Sequence, residues 1–184
     1  MADADTAGEL LDILDSSGNP LGIIRPRHEA HHQGLWHRTV HVWIVNDQGE
    51  LLLQKRAAGK ESHPGRWDIS AAGHIAAGDS GIVAAMRELK EELGIDAPAD
   101  TLQFLFDQQQ EYHDPSGTFH DREFSDIYLL RRNVRPAELS LQKDEVEKVR
   151  LFKIGELKAL IKKEPDKFVP HEHEYLRLFE RLAL

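Results

Sequence analysis

Between Gly73 and Ile95 the chain reads GHIAAGDSGIVAAMRELKEELGI, which places Arg87, Glu88, Glu91 and Glu92 within six positions. Carboxylates at relative positions 0, 3 and 4 fall along one face of a helix. Left to themselves they repel, by roughly 0.2–0.5 kcal/mol per like-charged pair. A hard, oxygen-seeking cation such as Mg²⁺ converts that repulsion into a binding site. The plainer alternative is a solvated acidic face, the usual meaning of a charge run. Histidine forms a second cluster, with eleven in the chain. His28, His31, His32 and His37 share one stretch, His74 follows Gly73, and His113 and His120 flank a turn before Glu123. Most histidines are surface or hydrogen-bonded side chains, but imidazole is also a common ligand and suits transition metals better than Mg²⁺.

The acidic face needs a helix beneath it. Ile82, Met86, Leu89 and Leu93 recur at steps of 4, 3 and 4, an apolar stripe able to dock on a sheet, with the three carboxylates expected to point away from it. Gly94 fits a C-terminal cap, and Asp79 or Ser80 an N-cap. Ahead of this helix, Leu10–Leu14 and Leu21–Ile24 flank Ser-Ser-Gly-Asn-Pro and read as a hairpin. Residues 25–37 read as irregular or briefly helical. Thr39–Val45, Leu51–Arg56 and Trp67–Ala72 read as strands, the last running into the acidic segment. Thr101–Gln109 and Phe124–Arg131 read as strands joined through Asp114-Pro115-Ser116-Gly117, and Val146–Phe152 as a final strand. Ile154–Lys163 and His171–Leu182 carry helical periodicity. Strands mixed with a few helices predict a sheet layered between helices.

The acidic segment resembles the signature of the Nudix hydrolase superfamily: Gly, five residues, Glu, seven residues, then Arg-Glu-aliphatic-any-Glu-Glu-any-Gly-aliphatic. Gly73 opens it and Arg87 to Ile95 closes it; the one departure is Asp79, where the family has Glu. So many fixed positions make a far more specific signal than a lone glycine loop. The resemblance implies an α/β/α sandwich with a mixed sheet, here preceded by a β-hairpin extension. It also implies hydrolysis of a diphosphate linkage in a nucleoside diphosphate derivative or similar organic diphosphate. Mg²⁺ or Mn²⁺ would be bound by Glu88, Glu91 and Glu92 with help from Gly73, Arg87 pairing with Asp79 and Glu88 to hold the carboxylates. Glu123 or Glu145 would orient water or act as general base. Asp79, one methylene shorter than Glu, has less reach to a cation or to Arg87.

From about His31 to Glu145 the chain is similar to the type I isopentenyl-diphosphate isomerases of the same superfamily, through HRTVHVWIVNDQGELLLQKRAAGKESHPGRWDISAAGH and Asp114-Pro115-Ser116-Gly117. That resemblance implies a second metal site of three His and two carboxylates: His31, His37, His74, Asp121 and Glu123, with His28 and His32 as alternatives to His31. Arg56 and Lys60 match basic residues that contact diphosphate, and Lys55 and Arg66 lie beside them. The isomerase mechanism needs a Cys where Ala72 stands, whereas the hydrolase pattern of carboxylates is kept. Hydrolase chemistry is therefore the leading reading. Isomerase-like chemistry and a non-catalytic ligand sensor are the alternatives. Trp43, Trp67, Tyr112 and Phe119 could stack on a base or cover an apolar tail, or simply fill the core.

Composition narrows the remaining choices. The 184 residues suit one domain, with 1–37 as the N-terminal extension, 38–163 as the core and 164–184 as a C-terminal helix. There is no cysteine, which removes disulfides, thiolate metal sites and a cysteine nucleophile. A net charge of −9 argues against general nucleic-acid binding. The first residues lack the basic and apolar regions of a signal peptide, and no apolar run approaches a membrane span. A cytoplasmic monomer or homodimer acting on a small organic diphosphate, without membrane contact, is the expectation.

Overall fold

Strand β3 (Trp36–Val45) organises the fold. In the computed structural model, which describes residues 8–114 and 119–182, it pairs with four other strands. One edge carries β8 (His120–Arg131) in parallel along its whole length, from Trp36 opposite Arg122 to Val45 opposite Arg131. The other edge is divided among three antiparallel partners. These are β1 (Leu10–Leu14) at Trp36, β6 (Ala71–His74) from Thr39 to Val42, and β4 (Glu50–Arg56) at Ile44 and Val45. β2 (Pro20–Pro26) continues outward from β1, β7 (Leu102–His113) from β8, and β5 (Trp67–Asp68) and β9 (Val146–Lys153) from β4. The result is a mixed nine-stranded sheet.

Alternation along β3 decides what lies on each face. Val40, Val42 and Ile44 join Ala71 and the helix α2 (Gly81–Leu93) through Ala84, Ala85, Leu89 and Leu93. Trp43 and Val45 face the other way, into a cluster with Ile127, Leu129 and Phe152. That cluster is closed by α3 (Ile154–Lys163) and α4 (Glu172–Arg181) through Leu157, Tyr175 and Leu178. Helices therefore cover both faces, as expected. None of the helices among the described residues is long and apolar enough to cross a membrane.

Several boundaries differ from the sequence expectation. The strand expected over Trp67–Ala72 is split into β5 and β6 at Ile69 and Ser70. The buried Ser70 hydroxyl donates to Leu52 O at 2.5 Å and accepts from Ile44 N at 2.8 Å, bridging β3 and β4 where their own pairing stops. The N-terminal hairpin is stitched into the sheet, and β3 begins before residue 37, so a division there would cut a strand. Residues 115–117 of the expected Asp114–Gly117 turn lie outside the described residues. The stretch after the hairpin forms a short helix, α1 (Arg27–Gln33), closed by Gly34 in the left-handed region at φ 63°. It buries Ala30 and His31 and leaves His28 and His32 exposed. Ser80 is the N-cap of α2, without a side-chain capping bond, and Gly94 closes it at φ 70°.

Candidate functional site

A cavity of about 810 Å³ gathers α1, α2, β6, the tip of β7–β8 and the segment before α4. Its acidic end is α2. Glu88 and Glu92 are buried, while Glu91 is exposed. The expectation that all three point away from the apolar stripe is thus corrected. At about 100° per residue, Glu92 and Glu88 lie on one side of the stripe, roughly 60° and 100° round from Leu89, and Glu91 stands opposite it. Glu92 Oε2 accepts from Ala72 N and Gln54 Nε2, both at 3.1 Å. Glu88 fills the space beside Gly73, where an added Cβ would lie 2.2 Å from its carboxyl carbon. Arg87 Nη1 reaches Glu88 Oε1 at 2.9 Å and Glu91 Oε2 at 3.5 Å, and its Nη2 donates to His74 O at 2.8 Å. The expected partner Asp79 takes no part: it sits exposed in the turn before α2, its N–H on Ala76 O, and Arg87 is drawn to the carboxylates beside it.

Burial disfavours the charged form of both Glu88 and Glu92. Burial, then Glu92, pushes Glu88 well above the usual carboxylate range. Burial pushes Glu92 up to about 8, against the pull of Lys60 and the Ala72 N–H. Hard oxygen donors that cannot ionise together without a cation fit Mg²⁺ or Mn²⁺.

The other donor set is histidine. The ring nitrogens of His31, His37 and His74 converge within 4.8 Å, as do ligand atoms of His37, Asp121 and Glu123. His31 Nε2 lies 3.2 Å from His74 Nε2. His37 Nδ1 donates to Leu35 O at 2.9 Å, which turns Nε2 inward; there it is buried without a hydrogen bond. Asp121 Oδ1, 3.5 Å from both His31 Nε2 and His37 Nε2, is likewise buried and unpartnered. Burial, reinforced by His74, drops His31 to about 2 and His37 to about 4, leaving neutral rings with lone pairs to offer. Burial, then Glu123, raises Asp121. Glu123 is itself pushed up by burial, but His37 and His74 outweigh that and lower it. Two orphaned polar atoms facing neutral imidazoles fit a transition-metal ion. Behind this set, Glu9 Oε2 lies 3.4 Å from His74 Nδ1 and Gln110 Nε2 donates to Glu123 Oε2 at 2.6 Å. α1 selects His31 over His28 and His32 by facing it inward.

The basic residues divide. Arg56 and Lys60 line the cavity. Arg56 is partly committed, with Nη1 on Asp68 Oδ2 at 2.9 Å and Nε on Ser62 O at 3.0 Å. Lys60 pairs with Glu145, so these two site candidates occupy each other. Lys55, on the opposite face of β4 from Arg56, pairs with Glu147 at 2.8 Å. Arg66 donates to Phe168 O at 3.3 Å. Neither lines the cavity. Of the four aromatics, Tyr112 and Phe119 line it, whereas Trp43 is wholly buried and Trp67 packs edge-on against Phe152. The reading of the sequence passed over His41, Asp68, His171 and Glu174. The signal for His41 was present: His37, Thr39 and His41 alternate along one face of β3 and place three polar side chains there.

The NUDIX domain model matches residues 35–177. Nudix hydrolase 3 of Arabidopsis thaliana is 43% identical over 95% of this chain, which spans 23% of that protein. A Nudix hydrolase of Clostridium acetobutylicum is 34% identical over 96% of this chain and 97% of its own length. An isopentenyl-diphosphate Delta-isomerase of Photorhabdus laumondii is 31% identical over 86% and 85%. A Deinococcus radiodurans crystal structure shares the fold, with a TM-score of 0.67 at 21% identity, covering 96% of this chain and all of that one.

Proposed function

The chain belongs to the Nudix family, and from that premise we propose that it is a divalent-metal-dependent hydrolase of the phosphoanhydride bond in a nucleoside diphosphate derivative or similar organic diphosphate. The observation that carries this reading is the pairing of buried Glu88 and Glu92 on α2, at the acidic end of a cavity large enough for such a substrate. Bound Mg²⁺ or Mn²⁺ would supply charge neutralisation of the diphosphate oxygens and a lowered pKa for attacking water. Glu88, Glu91 and Glu92 would hold it. Arg87 fixes Glu88 by a short ion pair and anchors itself on the His74 carbonyl. Arg56 and Lys60 line the cavity wall and would meet phosphoryl oxygens, Lys60 by exchanging Glu145 for the substrate. Glu123, buried and held by Gln110, is the better placed of the two candidate bases, because Glu145 is engaged by Lys60.

The wall supports hydrolysis over isomerisation. Ala72 lines the cavity where the isomerase Cys would be needed, and alanine can neither give nor take a proton. The three carboxylates of α2 also support turnover over passive sensing, since a binder has no need of all three. A phosphate-release screen over nucleoside di- and triphosphates, nucleotide sugars, dinucleotides, thiamine diphosphate and isoprenoid diphosphates, with Mg²⁺ and with Mn²⁺, tests the reading. Activity should appear on at least one class and be lost in the Glu91→Gln, Glu92→Gln variant. Unchanged release in that variant refutes the assignment of the site.

A further inference from the structure

One wall of the cavity is built from charged groups that neither donor set uses. His41 of β3 is 4% exposed and lines the cavity. Its Nδ1 lies 2.8 Å from Glu174 Oε2 of α4, so Nδ1–H donates to that carboxylate. Glu174 is wholly buried and accepts two further bonds, from Trp43 Nε1 at 2.6 Å and from Gln108 Nε2 at 2.6 Å. A carboxylate satisfied by three donors in the interior is held ionised, and His41 is the cation in contact with it. Burial alone would push His41 down, but Glu174 overrides it and the ring is pushed up to about 9. Among the described residues, Nε2 of the same ring has no hydrogen-bond partner, Nδ1 carrying the bond to Glu174.

Two further observations point to a ligand here. The His171 ring stands edge-on to His41, with centroids 5.3 Å apart, and its Nε2 lies 2.9 Å from Asp68 Oδ1. Its Nδ1 is buried without a partner, an unusual state that signals a group still to be supplied. Opposite His41 in register is Ala72, whose N–H holds Glu92, so the ring stands one strand from the anchor of the acidic end. A buried His–Glu pair is a poor way to gain stability, because apolar residues of the same volume often do as well or better. Its place on a cavity wall gives it a use.

We propose that His41 is a substrate-contacting residue whose Nε2–H donates to a phosphoryl oxygen of the diphosphate bound in the cavity. Glu174 acts as its positioning residue, fixing Nδ1 and thereby the ring's orientation and charge. The proposal rests on reading the cavity as a diphosphate site. It also gives α4 a part in binding: the helix reaches back to β3 and sets the donor.

The probe is methylenediphosphonate, a diphosphate that cannot be hydrolysed at the bridge, titrated calorimetrically into the full chain with Mg²⁺. His41→Gln should weaken binding by ~10–100-fold, the loss of one charge-assisted hydrogen bond. Its Mg²⁺ affinity without the probe should stay unchanged. Glu174→Gln keeps the volume and tests the arrangement even if His41→Gln fails to fold. Its affinity relative to wild type should fall as pH rises from about 6 to about 8, because the ring loses the partner that keeps it charged. The groups facing His41 are Glu174 and His171 from the α4 side, Asp68 from β5 and Glu123 from β8; only the Glu174 charge changes in that variant. The double variant should bind no worse than His41→Gln alone. Wild-type affinity in folded His41→Gln, or a pH-independent ratio for Glu174→Gln, overturns the role given to His41 and leaves the diphosphate reading standing. Failure of the wild type to bind the probe overturns both.

Discussion

Gly73→Ala asks a single methyl group to occupy space already filled by a catalytic candidate. The backbone there needs no special φ, so the cost is steric. The new Cβ would stand 2.2 Å from the Glu88 carboxyl carbon and 2.2 Å from its Oε1. Either the carboxylate withdraws, breaking its 2.9 Å pair with Arg87, or β6 moves against its register with β3. Overpacking of this kind costs ~1–3 kcal/mol. For a domain of this size that is a fall in Tm of ~2–12 °C by thermal denaturation. The loss in turnover should be larger than the loss in stability suggests. Displacing the carboxylate proposed to hold the metal should remove several kcal/mol of charge stabilisation, and ~10²–10⁴-fold in kcat follows. The double variant Gly73→Ala, Glu88→Ala isolates the cause. With the colliding group gone, its stability should return to that of Glu88→Ala alone, a coupling of ~1–3 kcal/mol between the two sites. Activity should stay lost. Near-wild-type turnover in Gly73→Ala, or additive stability losses in the double variant, would show that Glu88 does not need the space beside Gly73.

Asp79→Glu restores the family's residue at a position that forms no ion pair among the described residues. If its reach limits the site, Mg²⁺-dependent phosphate release rises; an unchanged rate assigns position 79 to the turn alone. Metal analysis after loading with Co²⁺ should find an ion that is lost in His37→Ala yet retained in Glu91→Gln, and equal retention in both variants refutes a separate histidine site. Stability also carries a signature of His41, which is faced by Glu174, His171, Asp68 and Glu123. Its folded pKa of about 9 exceeds the unfolded value of ~6.5, so its contribution is fully present below that lower value and is lost as pH rises through 9. That loss should be on the order of 3 kcal/mol in chemical denaturation relative to His41→Gln, and equal pH slopes in the two proteins would refute the pairing.

Much of the fold was legible because it is local. The stripe Ile82, Met86, Leu89, Leu93 gives α2, and Gly94 ends it where a left-handed cap is required. The hairpin and α3 follow from alternation and periodicity in the same way. The acidic and histidine clusters were legible through spacing and resemblance, and the structure converges His31, His37, His74, Asp121 and Glu123. What local pattern could not give was the side each residue faces once β3 takes four partners. It could not separate His31 from His28 and His32 without α1, or show that Lys55 turns away while Arg56 turns in. Least legible was the wall behind His41, whose partner Glu174 is 133 positions away and belongs to a helix that reads as an ordinary amphipathic segment.

The two donor sets meet at a dipeptide of β6. Gly73 and His74 are consecutive, so strand alternation sends them to opposite faces. Gly73 faces α2 and yields its space to a hard carboxylate, while His74 faces His31 and offers a softer nitrogen. Arg87 ties the halves together, holding Glu88 with one nitrogen and the His74 carbonyl with another. One residue of register therefore separates a set of oxygen donors from a set of imidazole donors within a single cavity. The same β6 pairing that keeps them apart also sets Ala72 against His41. A cation at α2, one among the histidines and an anion at His41 would all be positioned by four residues of strand. The physical burden on β6 is therefore registration: apart from His74 its side chains are small, and the missing side chain of Gly73 leaves the room that Glu88 occupies.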